Sequence, residues 1–305
     1  MVMMVIEQSI YSSSQSTGTA QANLELPLSS PLHLSGRINT KALFSPDNQS
    51  QSGGFEFEIG VDEVGRGPLY GSVVVAAAIL PKAWSGETEV GLLQDTPLAI
   101  LTDSKKLTER KREKLFEPVK QHALAYLVVE VPAGVIDEIN ILQATILGMR
   151  VACEQLMVEI TKVWRDASEL PTAPSTPLGF KLLIDGNKVP DLDEARLATH
   201  GICLADMTVT QPAGMVKFCA EAWVKGDARH NAIAAASVLA KVYRDRQLIA
   251  DGARYPGYGL EGHKGYPTKA HVEAIARLGV LPEHRRSFKP VQQAIEGTLA
   301  GTHYS

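Results

Sequence analysis

The chain has 305 residues, a formal net charge of −4 and an apolar fraction of 45%, which suits a globular fold with a sizeable core. No apolar run reaches about 18 residues, so no membrane span is expected, and the short MVMMVIEQS start meets Glu7 too early to make a good signal peptide. Cys153, Cys203 and Cys219 form no metal spacing and suit buried thiols in a reducing, cytoplasmic setting. The acidic balance argues mildly against a nucleic-acid partner, so such a partner has to rest on local charge.

Residues 1–54 are rich in Ser, Gln, Thr, Asn and Gly and show no persistent period, which predicts a disordered polar tail. Order is expected from Phe55. Phe55, Phe57, Ile59 and Val61 alternate with polar residues or glycine, as in a strand with one buried face. Val73 to Leu80 is continuously apolar, as in a central strand. Residues 83–100 read as an irregular insertion.

Thr108 is a candidate N-cap for a helix over 109–121, and 125–131 reads as a strand. A long helix is expected over 139–162, with Ile141, Leu142, Thr145, Ile146, Met149, Cys153 and Leu156 at helical spacing. Residues 166–177 (DASELPTAPSTP) read as a surface linker, 180–184 as a buried strand, and 211–216 as a further strand. An alanine-rich helix spans 232–249, and Thr268 caps a last one over 269–278. Residues 291–305 carry no strong signal.

Four acids stand out by position. Asp62, Glu63 and Asp185 end predicted strands, and Asp227 opens a helix. Sites on α/β sheets gather outside the carboxyl ends of strands. Carboxylates without Cys or His partners suit two Mg²⁺ or Mn²⁺ ions, which can activate water and stabilise a leaving oxygen on phosphorus. Taken alone, each acid is more often a cap or a loop carboxylate. Neighbours on a regular strand also face opposite ways, so Asp62 and Glu63 share a site only if the strand becomes irregular there. Gly65-Arg66-Gly67 follows, where backbone groups can approach a ligand; an ordinary turn reads the same way.

From Lys225 to Lys289 the chain has twelve Lys and Arg against six Asp and Glu, with Tyr258 and Tyr266 among them. Such a mixture suits phosphate tracking and stacking, and equally a solvated helical surface. His230, His263, His271 and His284 match no zinc spacing and are expected in phosphate or structural hydrogen bonds.

Six blocks then occur in unbroken order over about 55–290: GVDEVGRGPLYGSVVVAAAIL, DSKKLTERKRE, IDEINILQATILGMR, LLIDGNKVP, KGDARHNAIAAASVLAKVYRDR, and YGLEGHKGYPTKAH with HRRSF. Together they resemble the type 2 ribonucleases H, specifically the bacterial ribonuclease HII family. The resemblance implies an α/β, ribonuclease H-like domain over 55–290: a mixed central sheet flanked by helices, with a helical C-terminal portion. It implies hydrolysis of the phosphodiester 5′ to a ribonucleotide in RNA/DNA hybrids or in duplex DNA carrying single ribonucleotides, leaving 5′-phosphate and 3′-hydroxyl ends. It places the carboxylates for Mn²⁺ or Mg²⁺ on Asp62, Glu63, Asp185 and Asp227. It places 2′-OH reading on Gly65, Arg66 and Gly67, sugar stacking on Tyr266 and phosphate contacts on Lys105 and Lys225.

Three features depart from the family pattern: the polar N-terminus, the long 83–100 and 165–178 segments, and His230-Asn231 where many members carry an apolar residue and proline. A DNA nuclease of the same fold is the rival enzyme reading, and a binding protein with a dead site the non-enzymatic one. All four acids are present, which speaks against the latter. A monomer is expected. The function would admit a sliding clamp as partner, but the tail after Pro290 shows no clear clamp-binding peptide.

Overall fold

The protein is described here from a computed structural model, covering residues 3–12, 27–51, 53–102, 106–166, 177–204 and 216–297. Its strands are β1 (Met3–Ser12), β2 (Pro27–Asn39), β3 (Phe55–Val64), β4 (Val73–Ile79), β5 (Ala125–Val131), β6 (Leu178–Asp185), β7 (Ile202–Leu204) and β8 (Val216–Trp223). The helices are α1 (Thr40–Leu43), α2 (Glu109–His122), α3 (Ala133–Asp166), α4 (Glu194–Thr199), α5 (Gly226–Arg229), α6 (Asn231–Arg254), α7 (Leu260–His263), α8 (Lys269–Leu278) and α9 (Lys289–Ile295).

All eight strands join one mixed sheet in the order β1-β2-β5-β4-β3-β6-β8-β7. β3 runs antiparallel to β4 and parallel to β6, so the strand bearing Asp62 and Glu63 lies in the interior of the sheet, beside the one ending in Asp185. Val73, Val75, Ala77 and Ile79 pack under α3, while Val74, Ala76 and Ala78 pack under α2 and α6. That two-sided burial explains why β4 is apolar at every position.

Gly60 sets how closely α6 lies on the sheet. A Cβ there would meet the Ala232 carbonyl carbon at 2.1 Å and the Ile233 nitrogen at 2.3 Å. Ala232, Ala234, Ala235 and Ala236 are fully buried, so small side chains on both surfaces allow the approach. Thr108 and Thr268 cap α2 and α8 as expected, accepting from Lys111 N–H and His271 N–H. One helix, α3, is long and apolar enough to cross a membrane by length and composition, but 72% of that window is buried in the fold.

The N-terminal expectation is corrected. Residues 3–12 and 27–39 are strands, β2 pairing with β5 from His33↔Glu130 to Ile38↔Ala125 and β1 with β2. Leu32, Leu34 and Ile38 are buried at alternate positions along β2, a pattern that the polar composition around them concealed. α3 is two helices meeting at a non-helical Asn140 (φ 66°): a short one from Ala133, which was not expected, and the long one expected over 139–162, which runs on to Asp166. The strand expected over 211–216 falls, except for Val216 in β8, on residues 205–215, which lie outside the described residues. The end of the chain adds α9, whose Val291 is buried with Leu69 and Ile275. Of the cysteines, Cys153 is buried and Cys219 is exposed.

Candidate active site

Asp62 stands on the α6 face of β3 and is 6% exposed. Its Oδ1 accepts the Glu63 backbone N–H at 2.7 Å, and Ser237 of α6 hydrogen-bonds to it. Asp185 ends β6, and its Oδ1 accepts the Gly226 N–H at 2.6 Å, which ties it to the turn carrying Asp227. Gly226 makes that approach feasible, since a Cβ would sit 2.6 Å from Ile233 Cδ1. Asp227, in α5, is buried.

Asp62 lies in the field of the other three acids. Burial, then the charges of Asp185, Glu63 and Asp227, push the Asp62 carboxyl well above the usual range, with Ser237 opposing. Burial raises Glu63 as well, Arg66 opposes, and Asp185 adds to the rise. The Arg66 Nη1–Glu63 Oε1 contact is 3.4 Å, and with half of the Arg66 side chain exposed it is worth at most about 1 kcal/mol.

β3 does not become irregular where Asp62 meets Glu63, so the condition that adjacent acids need an irregular strand to share a site is not met within β3. It stays in register with β4 through Glu63↔Val75 and Val64↔Val74. What changes is the other edge, where pairing with β6 ends at Val61↔Ile184. Both acids lie just past that last pair, and both feel the charge of Asp185 while standing on a regular strand.

Among the described residues, no three acid, thiol or imidazole groups stand converged as a finished ion cage. The donor chemistry nevertheless fits a hard divalent cation. The set is all oxygen, and a cation bound there would favour the ionised form of Asp62, opposing the rise that burial and the neighbouring acids impose.

Tyr266 lies against the Gly65–Gly67 turn: a Cβ on Gly67 would be 3.4 Å from its Cε1. Its side chain is 44% exposed, as a stacking surface requires. Lys225 adopts a left-handed conformation (φ 57°) and is exposed at the start of α5. Lys105 lies outside the described residues.

The basic stretch divides on inspection. Arg244 and Arg285 are buried, Lys241 pairs with Asp245, Arg246 with Glu113, and Lys264 with Glu109. Tyr258 is buried and donates to the Gly279 carbonyl at 2.8 Å, so it is not a stacking surface. The four histidines are structural. His230 Nδ1 accepts the Ala232 N–H at the start of α6, and Nε2 lies 3.3 Å from Glu58 Oε2.

Two departures from the family pattern prove to be one feature. The 83–100 insertion docks on His230-Asn231, with Asn231 Nδ2 donating to the Trp84 carbonyl at 3.0 Å and Asn231 N–H to the Gly86 carbonyl at 2.9 Å. Sequence reasoning passed over Ser237, Arg244 and Arg285 as site-supporting residues. All three lie within the six sequence blocks, and the charge of the two arginines pointed to the surface.

Comparison with known proteins places the chain in a family. The family model described as ribonuclease HII matches residues 59–178 and 203–291. A ribonuclease HII of Psychrobacter arcticus is 50% identical over 277 residues, covering 88% of this chain and 90% of that protein. That of Acinetobacter baylyi is 44% identical over 236 residues, covering 77% and 96%. The crystal structure of ribonuclease H2 from Pyrococcus horikoshii superposes with a TM-score of 0.47 at 26% identity, over 79% of this chain and 98% of that one. The family and sequence matches define a hydrolase of the ribonuclease H class. Within that class, the chain belongs to the ribonuclease HII family.

Proposed function

We propose that the chain is an endoribonuclease that hydrolyses the phosphodiester 5′ to a ribonucleotide, in RNA/DNA hybrids and at single ribonucleotides within duplex DNA, leaving 5′-phosphate and 3′-hydroxyl ends. The observation that carries this reading is the placement of Asp62 and Glu63 just past the last β3–β6 pair, beside Asp185, which is tied through Gly226 to the turn carrying Asp227, with Tyr266 against the Gly65–Gly67 turn. Asp62, Glu63, Asp185 and Asp227 would hold two Mg²⁺ or Mn²⁺ ions, which when bound supply an activated water and stabilisation of the leaving oxygen. The Gly65-Arg66-Gly67 backbone reads the ribose 2′-OH, the group that distinguishes RNA from DNA. Tyr266 stacks on the neighbouring sugar, and Lys105 and Lys225 contact phosphate.

The test is cleavage of a duplex carrying one ribonucleotide, with and without Mg²⁺ or Mn²⁺, by the wild type and by Asp62→Asn. The wild type is expected to cut only with metal, and the variant to lose at least about 100-fold, the scale of removing a group that acts on transition-state charge. Full activity in Asp62→Asn, or none in the wild type with metal, overturns the proposal.

A further inference from the structure

Arg285 is fully buried, and its nearest hydrogen-bond partners are backbone carbonyls rather than an acid. Nε donates to Gly71 O at 2.9 Å, Nη1 to Arg66 O at 2.9 Å and Nη2 to Gly65 O at 2.5 Å. Its own N–H donates to Leu69 O at 2.8 Å, and Phe288 lies 5.2 Å beneath the guanidinium. Arg244 does the same from α6, donating to Ser72 O, Tyr70 O and Lys264 O at 3.1, 2.9 and 3.1 Å. Gly65 is at φ +93°, and a Cβ there would meet Arg244 Nε at 2.3 Å, so the turn and the arginine fit one another. Burial lowers both guanidinium groups, to about 10 for Arg244 and about 9 for Arg285, which leaves both charged at neutral pH.

Burying two cations is costly, and a single carbonyl does not offset it. The planar fork of arginine can, because it donates in several fixed directions at once. The consequence for the turn follows from peptide geometry. In a trans peptide the C=O and the next N–H point opposite ways. Fixing Gly65 O and Arg66 O on buried Arg285 therefore turns the N–H groups of Arg66 and Gly67 toward the opposite side. Arg66 and Gly67 are exposed, and among the described residues neither N–H has a protein acceptor.

We propose that Arg285 is a positioning residue for ribonucleotide recognition: it holds the carbonyls of Gly65 and Arg66 so that the Arg66 and Gly67 N–H groups present two aligned donors to the 2′-oxygen of the substrate. This rests on the reading that the Gly65–Gly67 turn meets the 2′-OH. Arg285 itself touches no substrate. A lysine at 285 keeps the charge but cannot span three separated carbonyls.

The test uses full-length protein with Asp62→Asn, in Mg²⁺, to measure binding without cleavage. Affinities are compared for a duplex with one ribonucleotide and the same duplex in all-DNA form. The parent is expected to prefer the ribonucleotide. Adding Arg285→Lys, with a native circular dichroism spectrum, is expected to remove about tenfold of that preference while leaving all-DNA affinity unchanged, a loss on the scale of one misaligned hydrogen bond. A parent without preference overturns the reading of the turn and this inference with it. A parent with preference and a folded Arg285→Lys that keeps it overturns this inference alone. A second measurement needs no change at Arg285. In the parent, the Arg66 and Gly67 amide ¹⁵N–¹H resonances shift on adding the ribonucleotide duplex and not the all-DNA one. Unmoved resonances overturn the inference even where Arg285→Lys fails to fold.

Discussion

His284 donates its Nε2–H to Nε2 of His271 across 3.2 Å, with both rings fully buried. The tautomers are set by the backbone. Leu281 N–H donates to His284 Nδ1 at 2.8 Å, so the proton of His284 sits on Nε2. His271 must then accept at Nε2 and donate from Nδ1, to the carbonyl of Tyr266 at 2.9 Å. The chain of bonds from Leu281 to Tyr266 holds only while both rings are neutral.

A pH dependence follows. Burial lowers His271 to about 4 and His284 to about 3, against an ordinary value of 6.5. The unfolded chain therefore binds more protons in this range. Their contribution to stability is full above pH 6.5 and is lost as pH falls toward about 4 and then about 3. For His271 alone the loss is on the order of 3 kcal/mol. Thermal melting from pH 7 to 4 should show a steep acid limb. His284→Asn, whose Oδ1 can still accept from Leu281, should flatten it by about one proton; equal slopes would contradict the assignment.

Asp62 predicts the opposite sign. Its folded carboxyl lies well above 3.8, so what the protonated form contributes is present below pH 3.8 and lost as pH rises through the folded value. Without metal at neutral pH, Asp62→Asn should melt no lower than the wild type, because the amide carries no charge toward Asp185, Glu63 or Asp227. Adding Mg²⁺ should raise the wild-type melting temperature and leave that of the variant nearly unchanged. A metal-free Asp62→Asn that melts well below the wild type would count against carboxylate repulsion at the site.

Tyr266 should separate stacking from fold. With its ring exposed against Gly67, Tyr266→Ala should lower kcat/KM by roughly 10- to 100-fold, the scale of one base or sugar stack, with melting little changed. Tyr266→Phe should keep most of the activity, since the ring face is retained. Equal losses in the two variants would assign the effect to the hydroxyl instead.

Much of this was legible in the residues. β3, β4, β5, α2, α6 and α8 followed from apolar pattern and threonine caps: β3 alternates along one buried face, β4 is apolar throughout because both faces are buried, and Thr108 and Thr268 mark the starts of α2 and α8. Three things did not follow. β2 was hidden because its alternation of Leu32, Leu34 and Ile38 is embedded in Ser- and Gln-rich surroundings, and its pairing with β5 is a long-range contact. Arg244 and Arg285 were misplaced because charge suggests a surface, whereas a guanidinium can be buried where backbone carbonyls surround it. The way Asp62 and Glu63 come under one field was invisible locally: it depends on where β6 stops pairing with β3, at Ile184, far away in sequence, and not on any bend in β3.

The most direct measurement maps the products of a duplex carrying one ribonucleotide after incubation with the wild-type protein and Mg²⁺ or Mn²⁺. The account predicts a single nick on the 5′ side of that ribonucleotide, with a 5′-phosphate on the fragment that keeps it, and no cut in the matched all-DNA duplex. Cleavage of the all-DNA duplex, or a nick on the 3′ side, would contradict it.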